Sequence, residues 1–298
     1  MEHYANSNKT PIFSISCPTR GRPQNVRRFI ESIKSTSDNF SDIEILFYVD
    51  DDDDSFPDDV LSFNVRKIKG KRVWLTLAHN ILYSNSSGEI IFYGGDDAVF
   101  KTTGWDSLVK KSFDLSEDKI LLVYGNDNGW YGSKIAIHGF VHKKWVEALG
   151  YFAYPGRGSS MDRWVTEVAK KLNRATYLES IVIEHIHYRQ GAASAEFDKT
   201  YQETYEESLK WGGYLKHYRK LKYERRIDRI ILGNIMIQKP KLEAHYIIGE
   251  LLVKLQNNLN FTIANRFRLL SLNNFEIFLK IFINILKVIF HRRIIRTK

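Results

Sequence analysis

The chain has 298 residues, of which 43% are hydrophobic and 27% are charged. These fractions are ordinary for a globular protein, and they exclude a disordered chain, a collagen-like chain and a polytopic membrane protein. The single cysteine, Cys17, excludes an internal disulfide and a cysteine-rich zinc module.

The net charge of +9 is unevenly distributed along the chain. Residues 211–298 contain nine lysines and nine arginines against five acidic residues, a net of +13, so residues 1–210 have a net of −4. We therefore expect an acidic domain over residues 1–210 and a basic, mostly helical region over residues 211–298 that meets an anionic partner. The first ten residues lack the apolar core of a secretory signal, which predicts a cytoplasmic location.

Strand-like and helix-like segments alternate over the first 200 residues. Apolar runs predict strands over residues 12–17, 43–49, 89–93, 119–124 and 175–187. Helical spacing of apolar residues predicts helices over residues 24–35, 75–84, 143–149 and 162–172. This alternation predicts an α/β fold with a mainly parallel sheet flanked by helices. In such sheets, ligands bind beyond the carboxyl ends of the strands.

A pair of carboxylates, Asp96 and Asp97, follows the third predicted strand and two glycines. Side-by-side carboxylates suit a hard divalent cation that takes oxygen ligands, such as Mg²⁺ or Mn²⁺. Aspartate and glycine are also common in solvated turns, and turn composition alone favours that interpretation.

The ends of the first two predicted strands are polar as well. Arg20 and Arg22 follow the first strand and could neutralise a diphosphate, or could simply belong to an exposed basic turn. Asp50 ends the second strand, where its carboxylate could accept hydrogen bonds from a base or a ribose. The following acids, residues 51–54, are typical of a solvated loop. No glycine-rich dinucleotide motif and no P-loop motif is present.

Two later segments offer further candidates. His185 and His187 end the last predicted strand, whose period of two places both rings on one face. The pair could bind a metal, although such pairs are more often structural. Asp162 opens a predicted helix and is either its N-cap or a chemical group.

Taken in order, these segments resemble the nucleotide-sugar glycosyltransferases of the family 2 type, which have the GT-A fold. The shared motifs are those of a bacterial subgroup: Pro-Thr-Arg-Gly-Arg-Pro at 18–23, Val-Asp-Asp-Asp-Asp at 49–53, Gly-Asp-Asp at 95–97, Trp-Val-Glu-Ala-Leu-Gly-Tyr at 145–151, Asp-x-Trp at 162–164 and Glu-His-x-His at 184–187. The resemblance covers residues 10–205.

The resemblance implies a GT-A type nucleotide-binding domain and a transfer of sugar from a nucleotide-diphosphate sugar, with a UDP-sugar expected most, to a hydroxyl group. It implies an inverting, divalent-metal-dependent reaction in the assembly of bacterial surface glycan or polysaccharide. The implied acceptor is a glycan or a lipid-linked molecule.

The resemblance also implies roles for single residues. Those implied to bind the nucleotide sugar are Pro18, Thr19, Arg20, Arg22, Asp50 and Asp96. Asp97 would ligate Mn²⁺ or Mg²⁺, with His185 as the first choice of metal partner and His187 as the second. Asp162 occupies the place of the catalytic base. Gly95 stands where a full Asp-x-Asp motif has its first acid, so fewer carboxylates are available for the metal.

Two other activities fit parts of the sequence. A sugar-1-phosphate nucleotidyltransferase would need a glycine-rich basic loop after the first strand, and residues 20–22 are a poor version of it. A nucleic-acid-binding protein would use the basic region, but no recognised binding motif is present, so we expect no nucleic-acid partner.

The C-terminal region contains a predicted amphipathic helix near residues 275–295. Its polar residues between 275 and 291 follow one another at spacings of four, four, three and four, which places them on a single stripe. Lys280 and Lys287 lie inside this stretch and disfavour a membrane-spanning helix. The apolar face and basic flank favour peripheral binding to anionic lipid at the inner face of the cell membrane, and packing on protein is the alternative.

Overall fold

The computed structural model describes residues 10–129, 131–154, 160–188, 197–210 and 214–237. The chain forms two compact units, residues 1–240 and 241–298. The second unit lies outside the described residues, and so does the predicted amphipathic helix near residues 275–295.

Eight strands in the described residues form one sheet in the order β3-β2-β1-β4-β7-β6-β8-β5. The strands are β1 (Phe13–Thr19), β2 (Ile43–Asp50), β3 (Val65–Gly70), β4 (Ile90–Tyr93), β5 (Ala98–Phe100), β6 (Leu122–Asn126), β7 (Gly139–His142) and β8 (Ala175–His185). The neighbours β3, β2, β1 and β4 are parallel, as are β6 and β8. The short strands β7 and β5 pair antiparallel with their neighbours. The predicted α/β fold with a mainly parallel sheet is confirmed.

Helices connect and cover these strands. They are α1 (Pro23–Thr36), α2 (Leu75–Ser84), α3 (Trp105–Asp114), α4 (Lys143–Leu149), α5 (Met161–Lys171), α6 (Lys199–Lys210), α7 (Tyr214–Lys220) and α8 (Lys222–Ile235). The bounds of α2 and α4 agree with the prediction. Strand β1 ends at Thr19, beyond the predicted end at residue 17, and so includes Pro18. Proline is tolerated there because β4 pairs only with the first part of β1, up to Ser16, and leaves one side of Pro18 without a ladder partner.

An aromatic core joins β4, β5, β7 and α3. The ring of Phe92 lies 5.3 Å from that of Phe100 and 5.1 Å from that of Phe140, and Trp105 stacks on Phe140 at 5.4 Å. All four side chains are buried. Truncation of such a ring to alanine typically costs about 3–5 kcal/mol, so this cluster contributes to the stability of the sheet.

Helix α8 packs against α5 through a buried polar contact. Asp228 has no solvent exposure, accepts a hydrogen bond from Trp164 Nε1 at 2.7 Å and is bonded by the hydroxyl of Tyr151. Arg225 Nε donates to Glu167 Oε2 at 2.9 Å, which joins α8 to α5 a second time. Helix α8 is therefore part of the compact unit formed by residues 1–240.

Replacing Asp228 with alanine should destabilise the protein, because it removes the acceptor of the buried Trp164 Nε1–H and a hydrogen-bond partner of the Tyr151 hydroxyl. Each buried group left unpaired costs about 1–3 kcal/mol, and urea denaturation measures the loss. The control is Asp114→Ala, since Asp114 forms an exposed ion pair with Lys110 on α3 and such pairs contribute well under 1 kcal/mol. Equal stability of the two variants would contradict the anchoring role of Asp228.

No helix in the described ranges combines the length and the apolar character needed to cross a bilayer.

Candidate functional site

The sequence-predicted site residues meet at the carboxyl edge of the sheet. Thr19 and Asp50 are the last residues of the parallel strands β1 and β2, and Asp97 follows β4, the other neighbour of β1. His185 is the last residue of β8, and it pairs with the first residue of β5, directly after Asp97. The topology therefore brings together residues that are far apart in the sequence.

The carboxylate of Asp96 is held by groups of the β1–α1 connection. Its Oδ2 accepts from the hydroxyl of Thr19 at 2.6 Å, and its Oδ1 accepts from Arg22 Nη1 at 3.1 Å and from Asn25 Nδ2 at 3.4 Å. Asp96 is 2% exposed, and burial raises its pKa to about 6 against the opposing charge of Arg22. These contacts fix Asp96 beside the predicted phosphate-binding loop.

The carboxylate of Asp97 is shared by two side chains that approach from β8 and α6. Its Oδ2 lies 3.2 Å from His185 Nε2 and accepts a hydrogen bond from the hydroxyl of Tyr201 at 2.8 Å. Burial opposes the ionisation of Asp97, but the hydrogen bond and charge of His185 outweigh it and hold the pKa of Asp97 below its usual value. The same contact raises the pKa of His185 although its burial acts in the opposite direction.

At position 95, where an Asp-x-Asp motif has its first acid, the arrangement of Asp97 leaves no room for a side chain. A Cβ at this position would lie 2.6 Å from Asp97 Oδ1, closer than such atoms approach in proteins. A side chain at position 95 would therefore push the Asp97 carboxylate away from its place beside His185.

The pair Asp97 and His185 has the donor chemistry and spacing for a divalent cation. Adjacent ligands of an octahedral ion with bonds of about 2.0–2.1 Å lie about 3 Å apart, close to the 3.2 Å between Oδ2 and Nε2. In the described part of the chain, no three His, Cys, Asp or Glu side chains converge as a metal-binding group. Ions such as Mg²⁺ often take only one or two protein ligands and complete their shell with phosphate oxygens and water. The pair therefore fits a cation that is held jointly with a diphosphate.

His187, the second predicted metal partner, lies beyond the end of β8. The centroid of its ring is 5.1 Å from that of His185 and 5.0 Å from that of Tyr201. It thus belongs to the aromatic surroundings of the Asp97 pair.

The two predicted phosphate-binding arginines are paired with carboxylates. Arg20 Nη1 lies 3.0 Å from Asp50 Oδ2, and its Nη2 donates to Asp52 Oδ2 at 2.8 Å. Arg22 donates through Nε and Nη2 to both oxygens of Asp198, at 2.6 and 3.0 Å. Burial raises the pKa of Asp50, whereas the charge of Arg20 opposes this effect. Pro18 lies just before this group, inside β1.

Asp162 lies in the first turn of α5, and Ser160 occupies the N-cap position. This overturns the interpretation of Asp162 as the cap. Its half-buried side chain has a pKa that burial raises, while the backbone N–H of Arg163 opposes the rise. A carboxylate with a raised pKa is a better proton acceptor than an exposed aspartate.

Four residues near the site were not predicted from the sequence. Tyr201 and Asp198 reach it from the start of α6, as described above. His138 is buried with its ring perpendicular to that of His185 at 5.0 Å, and neither of its ring nitrogens has a hydrogen-bond partner among the described residues. Burial lowers the pKa of His138 to about 3, so the ring is neutral. The backbone oxygen of Asp127 accepts a hydrogen bond from the backbone N–H of His185. The buried Oδ2 of Asp127 has no hydrogen-bond partner in the described ranges.

Asp53 also has a role that composition did not reveal. Its Oδ2 accepts from the backbone N–H of Gly21 at 2.8 Å, and its Oδ1 accepts from the hydroxyl of Ser55 at 2.7 Å. It therefore fixes the loop between β1 and α1 on which Arg20 and Arg22 lie. The sequence did not show which acid of residues 51–54 faces the β1–α1 loop.

No protein-family model matches the chain, and a search of the curated proteins finds no match. Among solved structures, the chain is similar to the mannosyltransferase PcManGT from Pyrobaculum calidifontis in complex with GDP-Man and Mn²⁺, with 12% identity and a TM-score of 0.48 over 84% of this chain and 81% of that one. It is also similar to S. aureus TarS 1–349 in complex with UDP-GlcNAc, with 12% identity and a TM-score of 0.49 over 90% of this chain and 79% of that one.

Proposed function

We propose that the protein is a glycosyltransferase that moves a sugar from a nucleotide-diphosphate sugar to a hydroxyl acceptor. The observation that supports this most is the meeting of two arginines with Asp50, Asp96 and the Asp97–His185 pair at one edge of the sheet. A nucleotide sugar presents hydrogen-bonding groups on its base and ribose, and charge on its diphosphate. The site offers a matching group for each part.

In this proposal, the strand ends bind the donor. Asp50 accepts hydrogen bonds from the base or the ribose, and Pro18 and Thr19 line the nucleotide pocket. Arg20 and Arg22 face the diphosphate, since guanidinium groups match phosphate oxygens in charge and geometry. In the structure, both arginines form ion pairs with carboxylates. On binding, the phosphates of the donor would replace some of these carboxylates as partners of the guanidinium groups. Asp96 faces the ribose or the transferred sugar.

Asp97 and His185 would hold Mn²⁺ or Mg²⁺, with His187 as the second histidine candidate. A bound cation stabilises the negative charge that develops on a leaving diphosphate. Arg22 adds positive charge on the same side, where charge accumulates as the sugar leaves. The protein supplies these groups in a fixed arrangement because Asp97 and Asp96 are held by hydrogen bonds before the donor binds.

Asp162 accepts the proton of the attacking hydroxyl in our proposal. Its raised pKa suits a general base, and such a base contributes on the order of 10²–10⁴-fold to the rate. Attack on the face opposite the leaving diphosphate is a single displacement. This predicts inversion at the anomeric carbon without a covalent intermediate.

A thermal-shift screen of the full chain tests donor binding. UDP, GDP, CMP and dTDP are added separately, each with and without Mn²⁺. We expect at least one nucleoside diphosphate to raise the melting temperature, with a larger rise when Mn²⁺ is present, because a ligand that binds only the folded state stabilises it. No shift with any nucleotide in either condition would contradict the proposal.

We further propose that the acceptor is a glycan or a lipid-linked molecule of bacterial polysaccharide assembly, and that residues 275–295 bind the membrane surface. The full chain should co-sediment with anionic liposomes at low salt, and a truncation after Asn274 should not, because it lacks the apolar face and the basic flank. Neutral liposomes are the control for the charge contribution. Equal sedimentation of both proteins would favour packing of this segment on protein.

A further inference from the structure

Tyr201 lies between two groups that the proposed function assigns to the donor site. Its hydroxyl donates to Asp97 Oδ2 at 2.8 Å, and the guanidinium carbon of Arg22 lies 4.2 Å from the centroid of its ring. A single side chain of α6 thus contacts both the proposed metal ligand and the proposed phosphate-binding arginine.

The position of Tyr201 is fixed by the start of α6. Asp198 Oδ1 accepts from the backbone N–H of Tyr201 at 2.9 Å, in the manner of a helix N-cap, and both oxygens of Asp198 bind Arg22. The hydroxyl of Thr200 donates to the backbone oxygen of Arg20 at 3.1 Å. The start of α6 is therefore tied to the β1–α1 loop through Asp198, Thr200 and Tyr201.

The contact with Asp97 has the form of an outer hydrogen bond to a metal-ligating carboxylate. Ligating carboxylates are usually held by such bonds, and removing the outer partner typically weakens metal binding by 10–100-fold. A carboxylate oxygen has two lone pairs, so Oδ2 can keep the Tyr201 hydrogen bond while its second lone pair faces a cation. The His185 side chain approaches the same oxygen and would share the cation.

We propose that Tyr201 is a positioning residue that orients Asp97 for the metal and places Arg22 for the diphosphate. This inference rests on the proposed function and deepens it, because it makes one residue of α6 couple the metal half of the site to the phosphate half. The hydroxyl serves the first task and the ring serves the second, so the two tasks can be separated by substitution.

The test uses the full chain and two variants of this residue. Tyr201→Phe removes the hydroxyl and keeps the ring against Arg22, whereas Tyr201→Leu removes both. Mn²⁺ binding is followed by the electron paramagnetic resonance signal of free Mn²⁺, with UDP or GDP added, whichever binds the parent more tightly. Nucleotide binding without metal is measured by calorimetry in EDTA. Tyr205→Phe, on the same helix and 48% exposed, is the matched control.

For Tyr201→Phe we expect the Kd for Mn²⁺ to rise about 10- to 100-fold while metal-free nucleotide binding stays within about twofold of the parent. For Tyr201→Leu we expect the same loss and, in addition, about 2- to 30-fold weaker metal-free nucleotide binding, the range of a cation–π contact. Melting temperatures of the free proteins show whether each variant is folded.

Two results would overturn the inference. If Tyr201→Phe binds Mn²⁺ as tightly as Tyr205→Phe does, the hydroxyl does not orient Asp97. If Tyr201→Phe weakens metal-dependent and metal-free binding equally, the residue only supports the fold. A parent protein that binds the nucleotide but no Mn²⁺ would overturn the metal assignment and this inference. A parent protein that binds no nucleoside diphosphate with or without Mn²⁺ would overturn the proposed function as well.

Discussion

Replacing Asp97 with alanine should abolish the Mn²⁺-dependent binding of nucleoside diphosphate. Asp97 supplies the carboxylate oxygen next to His185 Nε2, and a single histidine retains little affinity for a hard cation. Calorimetry with Mn²⁺ and the nucleotide selected by the thermal-shift screen measures the effect. The variant also leaves the hydroxyl of Tyr201 without its acceptor, so its melting temperature should be recorded alongside.

The control for this experiment is Asp54→Ala. The side chain of Asp54 is 94% exposed and forms an ion pair with Lys69 at the same end of the sheet. The Asp54→Ala variant should bind the metal and the nucleotide as the parent protein does. Undiminished metal–nucleotide binding by Asp97→Ala would show that the cation, if bound, lies elsewhere.

Replacing Asp162 with asparagine should lower turnover by at least about a hundredfold, the lower end for loss of a general base. Donor binding should remain close to that of the parent, because asparagine has the same size and the helix begins with Ser160 at its N-cap. The measured quantities are kcat with saturating donor and the Kd for the donor nucleotide. Near-normal turnover would remove Asp162 from the chemistry.

The pH dependence gives a second test of Asp162. A base must be unprotonated to accept a proton, so activity should fall as the pH falls through the pKa of this carboxyl group. Because burial raises that pKa, the midpoint should lie above the ordinary aspartate value of about 3.9. The acid limb should be missing from the residual rate of Asp162→Asn, and an unchanged limb would assign it to another group.

Local sequence patterns were sufficient for several elements of the fold. The bounds of α2 and α4 follow from apolar residues at helical spacing, and β2 follows from an apolar run, interrupted only by Glu44, that is buried on both faces. Strands β5 and β7 have only three and four residues, too few for a period to be recognised. Their pairing is nevertheless what places His185 beside Asp97.

The site residues at the strand ends could be predicted from the sequence, but the side chains that contact them from α6 could not. Thr19, Asp50 and Asp97 could be placed because carboxyl ends of parallel strands meet at one edge. The contact of Tyr201 with Asp97 spans 104 residues and depends on where α6 returns to the sheet. Asp198 could be recognised as a helix cap, whereas its pairing with Arg22 across 176 residues could not.

The most direct test of the proposed function follows the phosphorus atoms of the donor. The full chain is incubated with UDP- and GDP-sugars and Mn²⁺, and ³¹P NMR identifies the products, with Asp162→Asn as the control. Without acceptor, we expect at least one donor to be hydrolysed slowly to its nucleoside diphosphate, and faster by the parent protein than by Asp162→Asn. Products of a nucleotidyltransferase, a sugar 1-phosphate and a nucleoside triphosphate formed on addition of pyrophosphate, would contradict the proposed function, and so would unchanged donors together with no nucleotide binding.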